Sequence, residues 1–505
     1  MEQLSQLAAA FLEIEDEDRN ASLAIASVAV ADGPAPDQQD FVDAISARLP
    51  MVPRYRQKIR RVPFDLSAPM WVEDENFAPR QHFFRVGLPA PGDGAALADL
   101  VAMIMTERLH RDRPLWEFWV IEGLPGDRWA VLSKLHHCLA DGISANALQG
   151  VLFAGTPAVP PSPRGDEEAT AEPGTAQVLW TALGELASSP FSRFGSLGRQ
   201  LLSPDRLARR VAGTARGLGS LIGALIPAAP SFLTGPIRRQ RRYTLAHASL
   251  PDVREISRAF EVTVNDVVLA VISGGFRELL LDRGEQPSAD SVRALVPVSV
   301  RAAGDHDVVD NRISLMLPLL PVDVIDPVSR LLTVHRRLTE LKADDGAGAG
   351  AAVTASAQRG PFAPIAWAVR AAAKIPQRNI VTVATNIPGP RQPLSLLGRP
   401  VVELYPYVPI ALQLRVGVAV LTYCDRMTFG ITSDFASVPD TASLASAIER
   451  DIATMTIAAR ASTGGGAPGA TRSPTPRADQ AGYLGNGRPG PRRCHPDVAE
   501  PGGGP

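Results

Sequence analysis

Apolar and polar positions follow two periods along the first third of the chain. The run SLAIASVAVA (Ser22 to Ala31) has the dense apolar content of a strand, and RWAVLSKLHH (Arg128 to His137) reads as a buried strand. Between them, QDFVDAISARL places Phe41, Ile45 and Leu49 at helical spacing. Residues 1–155 therefore predict an α/β unit. The pattern returns at residue 243. Val262 to Gly284 predicts a helix with Val268, Val271, Ile272, Gly275 and Leu279 at its apolar positions, capped by Thr263 or Asn265. VRALVPVSV and NRISLMLPLLPV read as strands interrupted by proline, hence edges or bends. IVTVATNIPGP reads as a strand and RVGVAVLTYCDRMTFGITSD as a hairpin. SLASAIERDIATMTIAA closes the unit as a helix with Leu444, Ile448, Ile452 and Met455 on one face.

Two stretches break the pattern. TPAVPPSPRGDEEATAEPGT (Thr156 to Thr175) is rich in Pro, Gly, Ala and acid, which predicts a linker. Residues 176–242 then interleave arginines, among them Arg193, Arg199, Arg209, Arg210, Arg216 and Arg238, with apolar runs such as LGSLIGALIPAAPSFL. This is the profile of basic amphipathic helices, serving either as a crossover that covers an apolar face of the protein or as a contact with an anionic lipid surface. The expected organisation is an N-terminal domain over 1–155, a linker and crossover over 156–242, a second domain over 243–463 and a disordered tail over 464–505.

Composition narrows the class. The chain has 505 residues, 45 % of them hydrophobic and 21 % charged, enough for two or three domains with a sizeable core. A formal net charge of −2 argues against a nucleic-acid binder, which would carry a basic excess. The cysteines Cys138, Cys424 and Cys494 are odd in number and far apart, so neither a disulfide framework nor a zinc cluster is expected and a reducing cytoplasm fits. The N-terminus lacks the basic segment of a secretory signal, and no run of about eighteen apolar residues suggests a membrane-crossing helix.

The chemistry concentrates at KLHHCLADGIS (Lys134 to Ser144). In a strand, neighbouring side chains point to opposite faces, so His136 and His137 are not expected to share one metal site. Asp141-Gly142 marks a turn, and Ser144 can cap a following helix. Either the histidines fill core and Asp141 only steadies the turn, or one imidazole at the strand end faces an apolar cleft. A neutral imidazole there can take the proton of an alcohol as it attacks a thioester, in a site that excludes water. There is no G-x-S-x-G nucleophile motif, so direct transfer is more natural than a covalent acyl-enzyme.

At these residues the sequence resembles a known superfamily. His136-His137-x-x-x-Asp141-Gly142 is similar to the HHxxxDG motif of CoA-dependent acyltransferases and condensation domains. Within it, the chain resembles the bacterial wax ester synthase/diacylglycerol acyltransferase (WS/DGAT) family. Supporting stretches are the opening LSQLAAAFLEIED, Pro114-Leu115-Trp116, Asn265-Asp266, LVPVSVR, ATNIPGP and LTYCDRMTFGITSD, in order over about residues 1–460. Ala8 and Thr385 depart from it, where an acid and a serine are usual.

The resemblance implies an α/β fold of two chloramphenicol-acetyltransferase-like domains, each a mixed sheet with flanking helices, meeting along a tunnel. It implies His137 as general base and His136 as support. Asp141 would hold the turn by an ion pair, and Gly142 would keep the tunnel floor clear. Asn265 and Asp266, like the Pro-Leu-Trp segment, are expected to be packing motifs. Thr385 or Asn386 is a candidate donor to the developing oxyanion. Acyl-CoA and diacylglycerol or a long-chain alcohol are the implied substrates. No cofactor or metal is expected, and peripheral contact with the inner membrane or a lipid droplet is.

His82, His110, His247, His306 and His335 show no partner pattern and are expected on the surface or in ordinary core; Cys138 is expected to be a small filler. Two other functional classes compete with the acyl-CoA reading: a condensation-type enzyme fed by a carrier protein, and a catalytically silent lipid-surface protein.

Overall fold

A computed structural model describes residues 2–140, 153, 231–299, 313–345, 362, 366–367, 370 and 379–464. The expected linker, most of the basic crossover, the turn at Asp141-Gly142, the helix capped by Ser144 and the tail beyond Gly464 lie outside the described residues.

The strands in chain order are β1 (Glu2–Gln3), β2 (Ala24–Asp32), β3 (Gln57–Arg60), β4 (Met70–Glu73), β5 (Phe83–Gly87), β6 (Trp116–Leu124), β7 (Arg128–His136), β8 (Arg241–Ser249), β9 (Ala294–Ser299), β10 (Ile313–Met316), β11 (Thr382–Ile387), β12 (Ser395–Leu396), β13 (Arg399–Tyr407), β14 (Val416–Tyr423) and β15 (Arg426–Asp434). They form two six-stranded mixed sheets, ordered β12-β13-β2-β7-β6-β5 and β10-β9-β11-β14-β15-β8, and a three-stranded sheet β1-β4-β3. In the first large sheet only β5 and β6 run parallel. In the second, β11 is parallel to both β9 and β14, which pair it from either side.

β7 is buried at every position after Arg128, because β2 and β6 flank it and both its faces are covered. That explains a sequence that is apolar on both alternations. The helix α1 (Gln6–Glu17) starts where the Ser5 side chain accepts the Ala8 N–H. It is followed by α2 (Gln38–Ser46), α3 (Gly94–Thr106), α4 (His137–Ala140), α5 (Leu250–Ala259), α6 (Val264–Asp282), α7 (Pro327–Asp345) and α8 (Thr441–Gly464). α6 is buried without interruption from Asp266 to Phe276, and its Gly275 leaves room for Leu444 of α8. The expected stripe Leu444, Ile448, Ile452 and Met455 is buried against it. At about 1.5–3 kcal/mol for each fully buried aliphatic side chain, this packing is what holds the second sheet to its helices.

The sheets do not respect a division at residue 243. β12 and β13, which the sequence pattern assigns to the second domain, complete the first sheet, with β13 antiparallel to β2. An exposed edge on β2 would carry unpaired N–H and C=O groups, and β13 satisfies them. The alternation of β13 specifies a strand but not the sheet that receives it. A second tie between the halves is ionic. Arg370 pairs with Glu13 of α1 and, at 2.8 Å, with Asp65.

No single helix among the described residues is long and apolar enough to cross a membrane. α5 and α6 pass that test only as a pair bent by 104°. Two of the described arginines of the basic region are tied to the fold: Arg241 is buried and donates to backbone carbonyls of Arg238, Arg239 and Asn20, and Arg239 pairs with Glu107.

Candidate active site

The strand β7 ends between the two histidines. His136 is its last residue, opposite Ala24 of β2, and His137 opens the short helix α4. The His136 N–H donates to the Leu115 carbonyl at 3.0 Å, and the His137 N–H donates to the Leu23 carbonyl at 2.9 Å. The two backbones are thus pinned from opposite neighbours, one by the segment leading into β6 and one by the segment leading into β2. Simple strand alternation governs only His136.

Burial separates the rings. His136 is 1 % exposed, whereas His137 is half-buried with its ring centroid 4.1 Å from that of Phe11. The Cys138 N–H donates to His136 Nδ1 at 3.2 Å, and Cys138 Sγ lies 2.9 Å from the same nitrogen. A backbone donor at Nδ1 makes that nitrogen the acceptor, so the ring hydrogen is assigned to Nε2. Cys138 is therefore more than a filler: it fixes the ring it follows. His136 Nε2 faces Glu15 Oε2 at 3.5 Å, beyond hydrogen-bond length, so the contact is electrostatic.

Glu15 is itself buried. Its Oε1 accepts the Leu23 N–H at 2.9 Å and its Oε2 accepts from Arg111. Burial alone would raise its carboxyl pKa, but the His136 ring, the Arg111 guanidinium and the Leu23 N–H pull it down to about 2. Burial pushes the His136 ring below its ordinary value, against the opposing pull of Glu15, so His136 is neutral near pH 7. Arg108 closes the end of α1 by donating to the carbonyls of Glu15, Asp18 and, at 2.8 Å, Ala21.

The other candidates lie in three places. Asp141 and Gly142 fall outside the described residues. Asn265 and Asp266 open α6, and Asp266 forms a capping box with Thr263, accepting its N–H at 2.8 Å. The same carboxylate lies 2.8 Å from His335 Nδ1, so His335 has the partner that the sequence did not suggest. Thr385 and Asn386 are half-buried near the end of β11, opposite Ala419 and Val420. Being adjacent in a strand, they face opposite ways, so only one of them can serve a given wall. Trp116 of the Pro-Leu-Trp segment is core: its indole N–H donates to the Tyr55 carbonyl and its ring stacks on buried His82 at 4.1 Å.

Glu15, Arg111, Phe11 and the Leu23 peptide are the site features that sequence reasoning passed over. The available signal was Glu13 and Glu15, the two of the four acids of helix QLAAAFLEIEDE that alternate with the apolar Leu12 and Ile14, with Phe11 and Glu15 at i, i+4. Among the described residues no group of three or more His, Cys, Asp or Glu could hold a metal ion. A groove of about 1250 Å³ borders the network and is lined by Arg108, Arg111, Lys134, Phe84, Met103 and Trp119. Neither histidine lines it, so it is not the place where the base would meet substrate.

The family described as the wax ester synthase/diacylglycerol acyltransferase catalytic domain matches residues 4–268, and the WS/DGAT C-terminal domain matches residues 309–456. The chain is 44 % identical over 454 residues to the Mycobacterium tuberculosis protein named "Probable diacylglycerol O-acyltransferase tgs1", covering 90 % of this chain and 95 % of that one. The fold is similar to that of the wax ester synthase/diacylglycerol acyltransferase from Marinobacter aquaeolei, with a TM-score of 0.62 and 23 % identity over 91 % of this chain and all of the other. It also resembles the starter condensation domain of rhizomide synthetase, with a TM-score of 0.52 and 15 % identity over 90 % of this chain and 94 % of that one. A motif histidine pair pinned at a strand end, two mixed sheets and matches spanning both halves agree on one conclusion: the chain belongs to the WS/DGAT family of acyltransferases.

Proposed function

We propose that this chain transfers a long-chain acyl group from acyl-CoA to diacylglycerol, and also to long-chain alcohols, with His137 as general base. The observation that carries the reading is the state of His137. It sits where a buried strand ends, its backbone held by Leu23, its ring half-buried against Phe11. The neighbouring His136 is too deeply buried for that role.

In the proposed step, the acceptor hydroxyl gives its proton to His137 as its oxygen bonds to the thioester carbonyl carbon. The resulting oxyanion takes a hydrogen bond from Thr385 or Asn386, whichever faces the site. Collapse breaks the C–S bond, and the proton on His137 passes to the departing CoA sulfur. No covalent acyl-enzyme is needed and no cofactor takes part; acyl-CoA is substrate. Asp141 and Gly142 would shape the turn behind the base. The name of the mycobacterial relative supports diacylglycerol as acceptor.

The test is direct. Purified chain with labelled palmitoyl-CoA and diacylglycerol should yield labelled triacylglycerol, and His137→Ala should lose about 10²–10⁴-fold in rate, the usual contribution of a placed general base. Activity of the alanine variant equal to wild type would remove His137 from the mechanism. Turnover only with a carrier-bound acyl group would favour the condensation-type reading.

The charge pattern of residues 176–242 further supports peripheral contact with an anionic lipid surface, such as the inner face of the cell membrane or a lipid droplet. Vesicle flotation with and without anionic lipid checks this; no association with either would end it.

A further inference from the structure

Helix α1 reaches both histidines from one face. Phe11 and Glu15 are four residues apart and share that face. Phe11 lies against the His137 ring, and the Glu15 carboxylate sits 3.5 Å from His136 Nε2. Glu15 has a second route to the proposed base. Its Oε1 accepts the Leu23 N–H at 2.9 Å, and the carbonyl of that same Leu23 accepts the His137 N–H at 2.9 Å. One carboxylate therefore faces the ring of the first histidine and, across a single residue, fixes the backbone of the second.

An apolar side chain of similar size would fill this space with no charge to desolvate, and buried ion pairs are poor sources of net stability. Only an acceptor, however, can hold the Leu23 amide and face the hydrogen on His136 Nε2. Arg111 holds the carboxylate from its far side, and Arg108 fixes the turn of α1 that carries it.

We propose that Glu15, held by Arg111, is a positioning residue for acyl transfer: it orients His136 and fixes the Leu23–His137 bond that aims the base. The inference rests on the reading of His137 as that base. Glu15 touches no substrate, so its loss should act on turnover and leave substrate affinity alone. A displacement of about 1 Å at a reacting group is enough for losses of about 10²-fold.

The experiment uses the full chain with palmitoyl-CoA and diacylglycerol. Glu15→Ala should lower kcat roughly 10- to 100-fold with KM for both substrates within about twofold. Glu15→Gln should retain more activity, because its amide oxygen can still accept the Leu23 N–H. Asp16→Asn alters an exposed neighbour that also meets Arg111, at 3.2 Å, and should behave as wild type. If His137→Ala is inactive while folded Glu15→Ala keeps its kcat, or changes KM alone, the positioning role falls and the base stands. If His137→Ala is active, the base reading falls first and takes the positioning role with it. Should Glu15→Ala not fold, histidine-selective ¹⁵N NMR of the wild-type chain decides: His136 should carry its hydrogen on Nε2 near pH 7, and a hydrogen on Nδ1 would overturn the assignment.

Discussion

Tyr243 donates its hydroxyl hydrogen to the Pro406 carbonyl at 2.7 Å, joining β8 at the edge of the second sheet to β13, a strand of the first. The same carbonyl sits so close to Gly430 of β15 that a Cβ there would lie 1.9 Å from it. Gly430→Ala must push β13 away from the second sheet. We expect a loss of about 3 kcal/mol, at the high end for overpacking, and Tyr243→Phe to cost about 1–2 kcal/mol through the missing donor. Urea unfolding of the two variants against wild type checks both values.

Acid should weaken the fold through the histidine site. Glu15 has its folded pKa depressed from 4.5 to about 2, so its stabilising contribution is complete above 4.5 and is lost as pH falls toward 2. The size is on the order of 3 kcal/mol. His136 acts in the same direction. Its folded pKa lies below the ordinary 6.5, so the unfolded chain binds that proton more readily and stability starts to fall below 6.5. Urea midpoints at pH 7, 5 and 3 should decline steadily, and Glu15→Gln should flatten the part below 4.5. An unchanged slope in that variant would mean that other carboxylates govern acid unfolding.

Lys134 is almost fully buried on β7, where its ammonium donates to the Ile104 carbonyl at 3.0 Å and the Glu107 carbonyl at 2.8 Å. It satisfies groups at the C-terminal end of α3. Lys134→Ala leaves the Ile104 carbonyl with only the Glu107 N–H, the Glu107 carbonyl with only the Ser22 hydroxyl, and the Glu117 carboxylate with the Trp119 indole but no cation, and should cost about 3 kcal/mol. Lys134→Met fills the volume and should cost less. Thermal melts of the pair separate lost charge from lost packing.

Asp266→Ala should destabilise without silencing the enzyme. It removes the capping box of α6 and the contact with His335, whose side chain is 41 % exposed. About 1–2 kcal/mol is expected, mostly from the cap, because the exposed histidine adds little. Specific activity of the folded fraction should stay near wild type. A large loss of kcat at unchanged stability would place Asp266 in the chemistry.

Much of the fold was legible because it depends on local periodicity. The strand expected at Ser22 to Ala31, the buried strand expected over Arg128 to His137, the capped helix beginning after Thr263 and the final helix all appear, the second of them one residue shorter than expected. The strand exchange was not legible. A strand's pattern records that one face is buried, and β13 would bury the same residues against either sheet. Within the site, the histidine pair stood out because two adjacent imidazoles before Asp-Gly are unusual. Glu15 did not, because an acid in an amphipathic helix ordinarily faces solvent.

The sequence by itself determined most of the segments that are strands and helices, which pair of residues is the candidate for titratable chemistry, and the family those residues announce. Only the tertiary structure decided that β7 stops between His136 and His137, so that one ring is sealed in and the other left half-open. It also decided that Glu15, more than a hundred residues upstream, is the acid beside them. The physical reason is range. Periodicity and capping act over a few residues of chain, whereas the partners of a buried charge are chosen by which elements pack together, and that follows from the whole core.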